Sequence, residues 1–261
     1  MRERPRRILG AMITSGVDLA SQSAGTAACV IDWSDRRATV TDLTCGVDDA
    51  AMTELIGRVD KLGIDVPLGW PAAFAYAVAQ YTRDGSWPTA YDHGDTSAYR
   101  YRRTDMWVWK TLGMSPPLSV STDRIALPAM RVAALLSRLP ARVPLDGTGV
   151  VAEVYPAAAL RRWGFVSRGY KGKANSQARQ HLVERLIGEA GEWLVVGAAE
   201  VERCLSSDDA LDALVAALAA RAAAVGLADE IPVEDRPAAR VEGWMVVPSV
   251  GSWGLLAGGG R

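Results

Sequence analysis

Residues 206–218 read SSDDALDALVAAL, and a polar helix start here runs directly into an almost wholly apolar helix. The two serines can cap the free amides of the first turn, and Asp208 and Asp209 suit the positive end of the helix dipole. Asp212 differs, because it lies in the second turn on a side that alanines continue. A carboxylate on such a closely packed face is costly to desolvate unless it meets a cation or hydrogen-bond donors. The stretch therefore predicts a helix that packs on a sheet and carries a buried acid.

Length and composition indicate one large hydrophobic core. The chain has 261 residues, of which 49% are hydrophobic, and its net charge of −1 gives no global basic field, so a nucleic-acid partner needs a local patch. Cys29, Cys45 and Cys204 are widely spaced, which favours reduced thiols over disulfides or a zinc site. The basic residues 1–7 lead into no signal-peptide pattern, and no apolar run reaches the roughly 18 residues of a membrane helix. We therefore expect a cytoplasmic protein with no membrane partner.

The predicted elements open in the order βββαβ. Alternating or β-branched runs predict strands at residues 8–19, 26–33, 38–45 and 62–67, and helical spacing predicts a helix at 48–61. Further along, a strand is expected at 150–156, helices at 157–163, 175–189, 198–204 and up to 225, and a last apolar segment at 243–248. Strands that alternate with helices are typical of the α/β class.

Residues 69–149 interrupt this order and predict an inserted helical segment, with helices at 72–83, 105–112 and 127–139. Of the 18 aromatic residues, ten lie here: Trp70, Phe74, Tyr76, Tyr81, Trp87, Tyr91, Tyr99, Tyr101, Trp107 and Trp109. Aromatics interleaved with arginines can stack bases and hold phosphates, although a small subdomain would use the same aromatics as its core. We expect a lid or subdomain over the acids, with Arg103 and Asp105 facing them.

Three predicted strands each end in an acid among apolar neighbours, namely Asp18, Asp65 and Glu153. One such acid is usually a turn or cap residue, but ligands of open α/β sheets bind at the carboxyl ends of the strands. Acids gathered there with Asp212 would repel one another and need a cation. Oxygen ligands in this number suit Mg²⁺ or Mn²⁺, and two such ions about 4 Å apart can cleave a phosphodiester.

The chain resembles the uncharacterised family of predicted ribonuclease H-like nucleases over residues from about 10 to 248. The motifs that carry the resemblance are GVD (16–18), IDVPLGWP (64–71), RTD (103–105), EVYP (153–156), YK (170–171), DALDA (209–213) and EGW (242–244). The DALDA motif also resembles the last helix of the Holliday-junction resolvase branch of this fold. The resemblance implies one ribonuclease H-like domain over residues 1–261, with a mixed five-stranded sheet, flanking helices and the inserted segment 69–149 within it.

By this resemblance the chain is expected to be a metal-dependent nuclease that hydrolyses phosphodiester bonds of a nucleic acid. The expected metal ligands are Asp18, Asp65, Asp209 and Asp212, and Glu153 is expected as a further ligand or base, so that these five are the expected catalytic residues. The expected substrate contacts are Arg103, Asp105, Tyr170 and Lys171, the last two in a basic stretch after the predicted fifth strand. The expected cofactor is Mg²⁺ or Mn²⁺.

Two other classes of function stay open at this stage. Actin-like ATPases and sugar kinases share the fold and use Gly-rich phosphate turns, which residues 21–26 (SQSAGT) imitate with a single glycine. The other class is a non-catalytic nucleic-acid-binding module with a decayed site. The sequence leaves RNA, DNA and nucleotide substrates open, and it is compatible with a homodimer.

Overall fold

The structure is a computed structural model that describes residues 11–88 and 95–258 of the chain. Residues 8–10 of the strand expected at 8–19 therefore lie outside the described residues, and so does the aromatic residue Tyr91. No helix in the described part of the chain is both long enough and apolar enough to cross a membrane.

Seven strands of the described residues form one mixed sheet in the order β6-β3-β2-β1-β4-β5-β7. The strands are β1 (Met12–Asp18), β2 (Ala27–Ser34), β3 (Arg37–Cys45), β4 (Lys61–Asp65), β5 (Val151–Val154), β6 (Leu194–Val195) and β7 (Met245–Val246). Strands β1, β2 and β3 pair antiparallel, whereas β1, β4, β5 and β7 run parallel to one another. The carboxyl ends of β1 and β4 therefore meet at one edge of the sheet.

Ten α-helices surround this sheet within the described residues. They are α1 (Asp49–Arg58), α2 (Ala72–Asp84), α3 (Ser97–Arg100), α4 (Arg103–Leu112), α5 (Ala126–Ser137), α6 (Pro156–Arg162), α7 (Ser176–Ala190), α8 (Ala198–Ser206), α9 (Asp208–Ala224) and α10 (Arg236–Glu242). Helix α9 packs on β1, β2 and β4, with α6 and α8 beside it, and α7 packs against α8. Helices α1 and α5 belong to the core on the opposite face.

Helix α9 lies unusually close to the sheet because two glycines face it. A Cβ atom at Gly16 would lie 2.1 Å from the carbonyl oxygen of Ala213, and one at Gly63 would lie 2.6 Å from that of Ala216. Real side chains do not tolerate such distances, so only glycine permits this approach. The apolar residues all around α9 are consequently buried, as expected for a helix that is hydrophobic on every side. The position of α9 relative to β1 and β4 is thereby fixed.

The α/β class is confirmed, while the sheet has seven strands where five were expected. The five expected strands all form, within a few residues of their predicted bounds. The additional β6 and β7 contain two residues each and lie at the two edges of the sheet. Two residues are too few to show the alternation that identifies a strand in a sequence. The short helices α3 and α10 were missed for the same reason, since neither spans three full turns.

Candidate functional site

Three acids converge at the carboxyl edge of the sheet. Asp18 ends β1 and Asp65 ends β4, and the two residues lie opposite each other in the parallel pairing of these strands. Asp212, which is fully buried, reaches the same point from α9. One carboxylate oxygen from each side chain lies within 4.8 Å of the others. The structure thus brings together three of the acids that the sequence singled out.

The start of α9 is positioned by its own cap. The Ser207 hydroxyl accepts a hydrogen bond of 3.2 Å from the Ala210 amide, so of the two serines it is Ser207 that caps the helix. Asp208 and Asp209 occupy the first turn, where their charge complements the helix dipole. Because α9 rests on Gly16, its second turn places Asp212 beside the end of β1. The cap and the close packing together aim the Asp212 carboxylate at Asp18 and Asp65.

Two neighbouring side chains bind the buried Asp212 carboxylate. The Tyr170 hydroxyl donates to Oδ1 over 2.7 Å, and the Lys171 ammonium lies 2.5 Å from Oδ2. Tyr170 is buried, whereas about half of the Lys171 side chain is exposed. The loop that carries them is held by the buried guanidinium of Arg179, which donates to the carbonyl oxygens of Tyr170 and Gly172. Lys171 is therefore a fixed positive charge at the acids that still borders solvent.

The acids of this group hold their protons more tightly than ordinary carboxyls. Burial, followed by the charges of Asp65 and Asp212, raises the pKa of Asp18 to about 9. Burial also raises the pKa of Asp65 to about 7, although Lys171 opposes the shift. The pKa of Asp212 is raised by burial as well, against the opposing effects of Lys171 and Tyr170. For Lys171, burial would lower the pKa, but the three carboxylates outweigh it and raise the pKa. One lysine is thus too little positive charge for three buried acids.

Asp209 lies next to this group but outside its 4.8 Å limit. It is partly buried, and burial followed by the charges of Asp208 and Asp212 raises its pKa. Its charge in turn contributes to the raised pKa of Asp18. Asp208 lies 3.8 Å from the Arg179 guanidinium, which compensates its charge. Of the two acids in the first turn, Asp209 is the one that can add an oxygen ligand to the group.

Glu153 lies outside the group of three converging acids, although its charge contributes to the raised pKa of Asp65. Both of its carboxylate oxygens accept hydrogen bonds of 2.7 Å from the guanidinium of Arg102, and the Leu68 amide donates to one of them. The same guanidinium binds the Asp105 carboxylate. All three side chains are buried. Both oxygens of Glu153 are thus engaged by Arg102, which has to serve two carboxylates with one positive charge. No sequence signal marked the pair of Arg102 and Glu153, since the two residues are 51 positions apart in the chain.

The expected substrate contacts Arg103 and Asp105 are both engaged in ion pairs, and of the two only Asp105 lines the cavity that lies over Asp18 and Asp65. The Arg103 side chain turns away from the acids and pairs with Asp235 over 2.6 Å, ahead of α10. The Asp105 carboxylate closes a capping box at the start of α4 and pairs with Arg102. A residue that caps a helix and neutralises a buried guanidinium has a sufficient structural role. Tyr170 and Lys171, in contrast, lie at the acids as expected.

A cavity of about 500 Å³ lies over Asp18 and Asp65. Tyr170 and Lys171 form part of its wall, and the inserted segment contributes residues between Arg102 and Pro128. Within the described part of the chain, none of the aromatics between Trp70 and Trp109 lines it. The insertion therefore borders the site as expected, but not through its aromatic cluster. The exposed residues Arg124 and Arg168 also line the cavity, and the sequence signalled only the second, as part of a basic stretch.

Fold and site together define an α/β protein with a recessed carboxylate centre at the carboxyl ends of parallel strands. The family model described as "Protein of unknown function (DUF429)" matches residues 16–236, and the chain belongs to this family. The matched region contains all three converging acids as well as Tyr170 and Lys171. Comparisons with curated proteins and with solved structures gave no match.

Proposed function

We propose that this protein is a metal-dependent nuclease that hydrolyses phosphodiester bonds on a ribonuclease H-like fold. The observation that carries the proposal is the convergence of Asp18, Asp65 and Asp212 within 4.8 Å at the floor of a cavity. The order of elements supports the fold assignment, because three strands, a helix and a fourth strand are followed by a long helix late in the chain. Acids on the first strand, the fourth strand and that helix form the pattern that the sequence resemblance implies.

The donor set fits a hard divalent cation. Mg²⁺ binds oxygen ligands at about 2.1 Å, so that two ligands on opposite sides of one ion lie about 4.2 Å apart. The spacing of up to 4.8 Å among the three carboxylates approaches this value and needs only a small inward movement of the side chains. The raised pKa of Asp18 shows that the group lacks positive charge, which Mg²⁺ or Mn²⁺ would supply. Asp18, Asp65 and Asp212 would hold the first ion.

A second ion would need additional oxygen ligands, and Asp209 is the nearest candidate in α9. It lies one turn before Asp212, on the same side of the helix. Metal ions bound here would activate a water molecule and stabilise the leaving oxygen of the phosphodiester. A two-metal arrangement therefore assigns Asp209 a role that Glu153, bound to Arg102, is not free to take.

The other residues of the site bind and orient. Tyr170 fixes one oxygen of Asp212 by its 2.7 Å hydrogen bond, which leaves the second oxygen directed towards Lys171. The half-exposed Lys171 ammonium can pass from Asp212 to a phosphate oxygen once a cation compensates the acids. The buried wall of the cavity limits bulk water, which strengthens each of these electrostatic interactions. Binding of substrate through Lys171 would weaken as the salt concentration rises.

The proposal is tested by incubating the purified protein with labelled single-stranded and double-stranded DNA and RNA. Hydrolysis is expected with Mg²⁺ or Mn²⁺ and is expected to cease when a chelator removes the ion. The variants Asp18→Asn and Asp212→Asn should each lose activity by about a hundredfold or more, since even residues that only support metal ligands are worth about 10- to 100-fold. Calorimetric titration with Mn²⁺ should show weaker metal binding by both variants.

The matched control is Asp42→Asn, which removes one exposed carboxylate from β3, away from the site. This variant should keep full activity and full metal affinity. Hydrolysis that persists in the chelator, or Asp18→Asn and Asp212→Asn variants that stay fully active, would contradict the proposal. If the parent protein binds no metal and cleaves no nucleic acid, titration with ATP tests the actin-like alternative.

A further inference from the structure

We infer that the cavity over the acids accepts one unpaired nucleotide unit and excludes an intact duplex. The inference rests on the proposed function for the nature of the ligand, a phosphodiester, and goes beyond it by naming the substrate class. Its basis is the recessed position of the acids, two cavity arginines that lack a hydrogen-bond or ion-pair partner among the described residues, and an apolar wall supplied by the inserted segment.

The cavity has the size of a small-molecule site. Its volume of about 500 Å³ equals that of a sphere about 10 Å across, within the roughly 300–1,000 Å³ of ligand pockets. Asp18 and Asp65 line the cavity, and Asp212 behind them is fully buried, so the acids lie in a recess. A strand that has left its duplex can bend into such a recess, which a phosphodiester held in the regular backbone of a duplex cannot do as readily.

Two arginines that line the cavity are not engaged by the described residues. Arg124 and Arg168 line the cavity, and neither guanidinium has a hydrogen-bond or ion-pair partner within residues 11–88 and 95–258. Arg102 and Arg179, by contrast, are buried and fully engaged. Two unpaired guanidinium groups beside Lys171 are suited to phosphate oxygens, which arginine can bind in a bidentate manner. One side of the cavity can thus bind the phosphates that flank the bond to be cut.

The inserted segment gives the cavity an apolar wall. This wall includes Pro117, Leu118, Ile125 and Pro128. About half of Leu118 is exposed. Apolar surface of this kind accepts the face of an unstacked base without reading its edge. In a duplex this face is covered by neighbouring base pairs. The wall therefore favours an unpaired base and predicts little preference for its identity.

The binding experiment uses the Asp18→Asn variant in Mg²⁺, which keeps the probes uncut. A labelled six-nucleotide single strand and the same sequence as a blunt duplex are compared by fluorescence anisotropy. The single strand should bind at least about tenfold more tightly, a difference of about 1.4 kcal/mol, because only an unpaired base can contact the apolar wall. A dinucleoside monophosphate is added as competitor, and it should displace the strand if one nucleotide unit fills the cavity.

The variants Arg124→Gln and Arg168→Gln, made in the same background, should each weaken single-strand binding about fivefold, as expected for loss of a charge-assisted contact. The matched control is Arg142→Gln, which removes an exposed arginine that lines a different cavity. Its affinity for the single strand should not change. Duplex binding as tight as single-strand binding, or unchanged affinity in both Arg124→Gln and Arg168→Gln, would overturn the inference.

Hydrolysis by the wild-type protein separates this inference from the proposed function. Equal cleavage rates for the single strand and the duplex would overturn the inference and leave the nuclease proposal intact. Preferential binding of the single strand without cleavage of any probe in Mg²⁺ or Mn²⁺ would do the reverse. Cleavage of the single strand at least about tenfold faster than of the duplex supports both.

Discussion

Asp18 is an acid whose pKa the site raises strongly. It is the last residue of β1, where Asp65 lies directly opposite and Asp212 closes the group from α9. Burial and these two charges raise its pKa to about 9, against an ordinary value of 3.8. A carboxyl in this position stays protonated at neutral pH until a cation arrives. The metal binding that we propose for this site therefore has to release a proton.

The variant Asp18→Asn tests this electrostatic effect through stability. Because the folded carboxyl titrates near 9 and the unfolded one near 3.8, the folded metal-free protein retains a proton that the unfolded chain releases between these values. The free energy of unfolding of the wild type should therefore fall as pH rises through this window. In the Asp18→Asn variant, which lacks this titrating group, the fall should be smaller. Thermal unfolding in a chelator at about pH 5, 7 and 9 measures the difference.

The exposed Asp42→Asn variant serves as the control for this measurement and should follow the wild type at every pH. If the free energies of unfolding of the wild type and of Asp18→Asn change with pH in parallel, the raised pKa of Asp18 is contradicted. A gain of stability in Asp18→Asn that grows with pH would confirm it.

Sequence patterns identify the acids and Lys171, but not the arginines that the inserted segment brings to the site. Asp18 and Asp65 each follow an apolar strand, so their position at one sheet edge is predictable from the α/β order alone. Arg102 and Arg124 lie in a segment without regular periodicity, and their surroundings depend on how that segment folds back. Glu153 looks like Asp65 in the sequence, and only the position of Arg102 reveals that both of its oxygens are already engaged.

At the scale of elements, the site depends on the contact between α9 and the two strands below it. Gly16 and Gly63 leave no gap between the strand backbones and the helix. The serine cap and the acidic first turn ahead of an almost wholly apolar run predict α9 from the sequence. The depth at which it packs is not predictable, because a glycine inside a strand is equally typical of a bulge.

The variant Gly16→Ala tests this contact. The new methyl group would lie 2.1 Å from the Ala213 carbonyl oxygen, so α9 has to move away from β1 and carry Asp212 with it. Overpacking of a core lowers the free energy of unfolding by about 1–3 kcal/mol. The atoms that the new methyl group would meet belong to the backbone of α9, which cannot rotate away as a side chain could, so we expect a loss at the upper end of this range. Urea unfolding measures the loss, and titration with Mn²⁺ should show weaker binding because the acids are spread apart.

Gly57→Ala is the matched control, since this glycine lies within α1 and a Cβ atom there meets nothing within 4 Å. Alanine in a helix is more favourable than glycine by up to about 1 kcal/mol, so this variant should be as stable as the wild type or more so. A Gly16→Ala protein with wild-type stability and metal affinity would show that α9 does not set the spacing of the acids.

At the scale of the whole molecule, the guanidinium of Arg102 joins parts of the chain that are far apart in sequence. It binds Asp105 at the start of α4, Glu153 in β5 and the carbonyl oxygen of Glu242 at the end of α10. Glu153 in turn accepts from the Leu68 amide, three residues after Asp65. The inserted segment is thereby fastened to the sheet beside the acids.

Two acids on neighbouring strands should therefore respond oppositely to removal of their charge. Glu153→Gln weakens a buried pair with Arg102 and should lower the free energy of unfolding by about 1–3 kcal/mol, with metal affinity retained. Asp65→Asn should lower the metal affinity and leave the metal-free stability unchanged or higher, since it relieves repulsion. Urea unfolding and titration with Mn²⁺ on both variants provide the comparison. Loss of metal binding in a stably folded Glu153→Gln variant would restore Glu153 as a ligand.

The separation of the acids along the chain has a consequence for the time at which the site comes into being. During synthesis Asp18 and Asp65 are complete early, on strands whose apolar face is still uncovered, whereas Asp212 is added much later with α9. Until that helix docks, two like charges stand at an open sheet edge without the residue that completes a cation site. A polypeptide whose translation stops before residue 212 is consequently unable to assemble the group of three acids, and with it the proposed metal site.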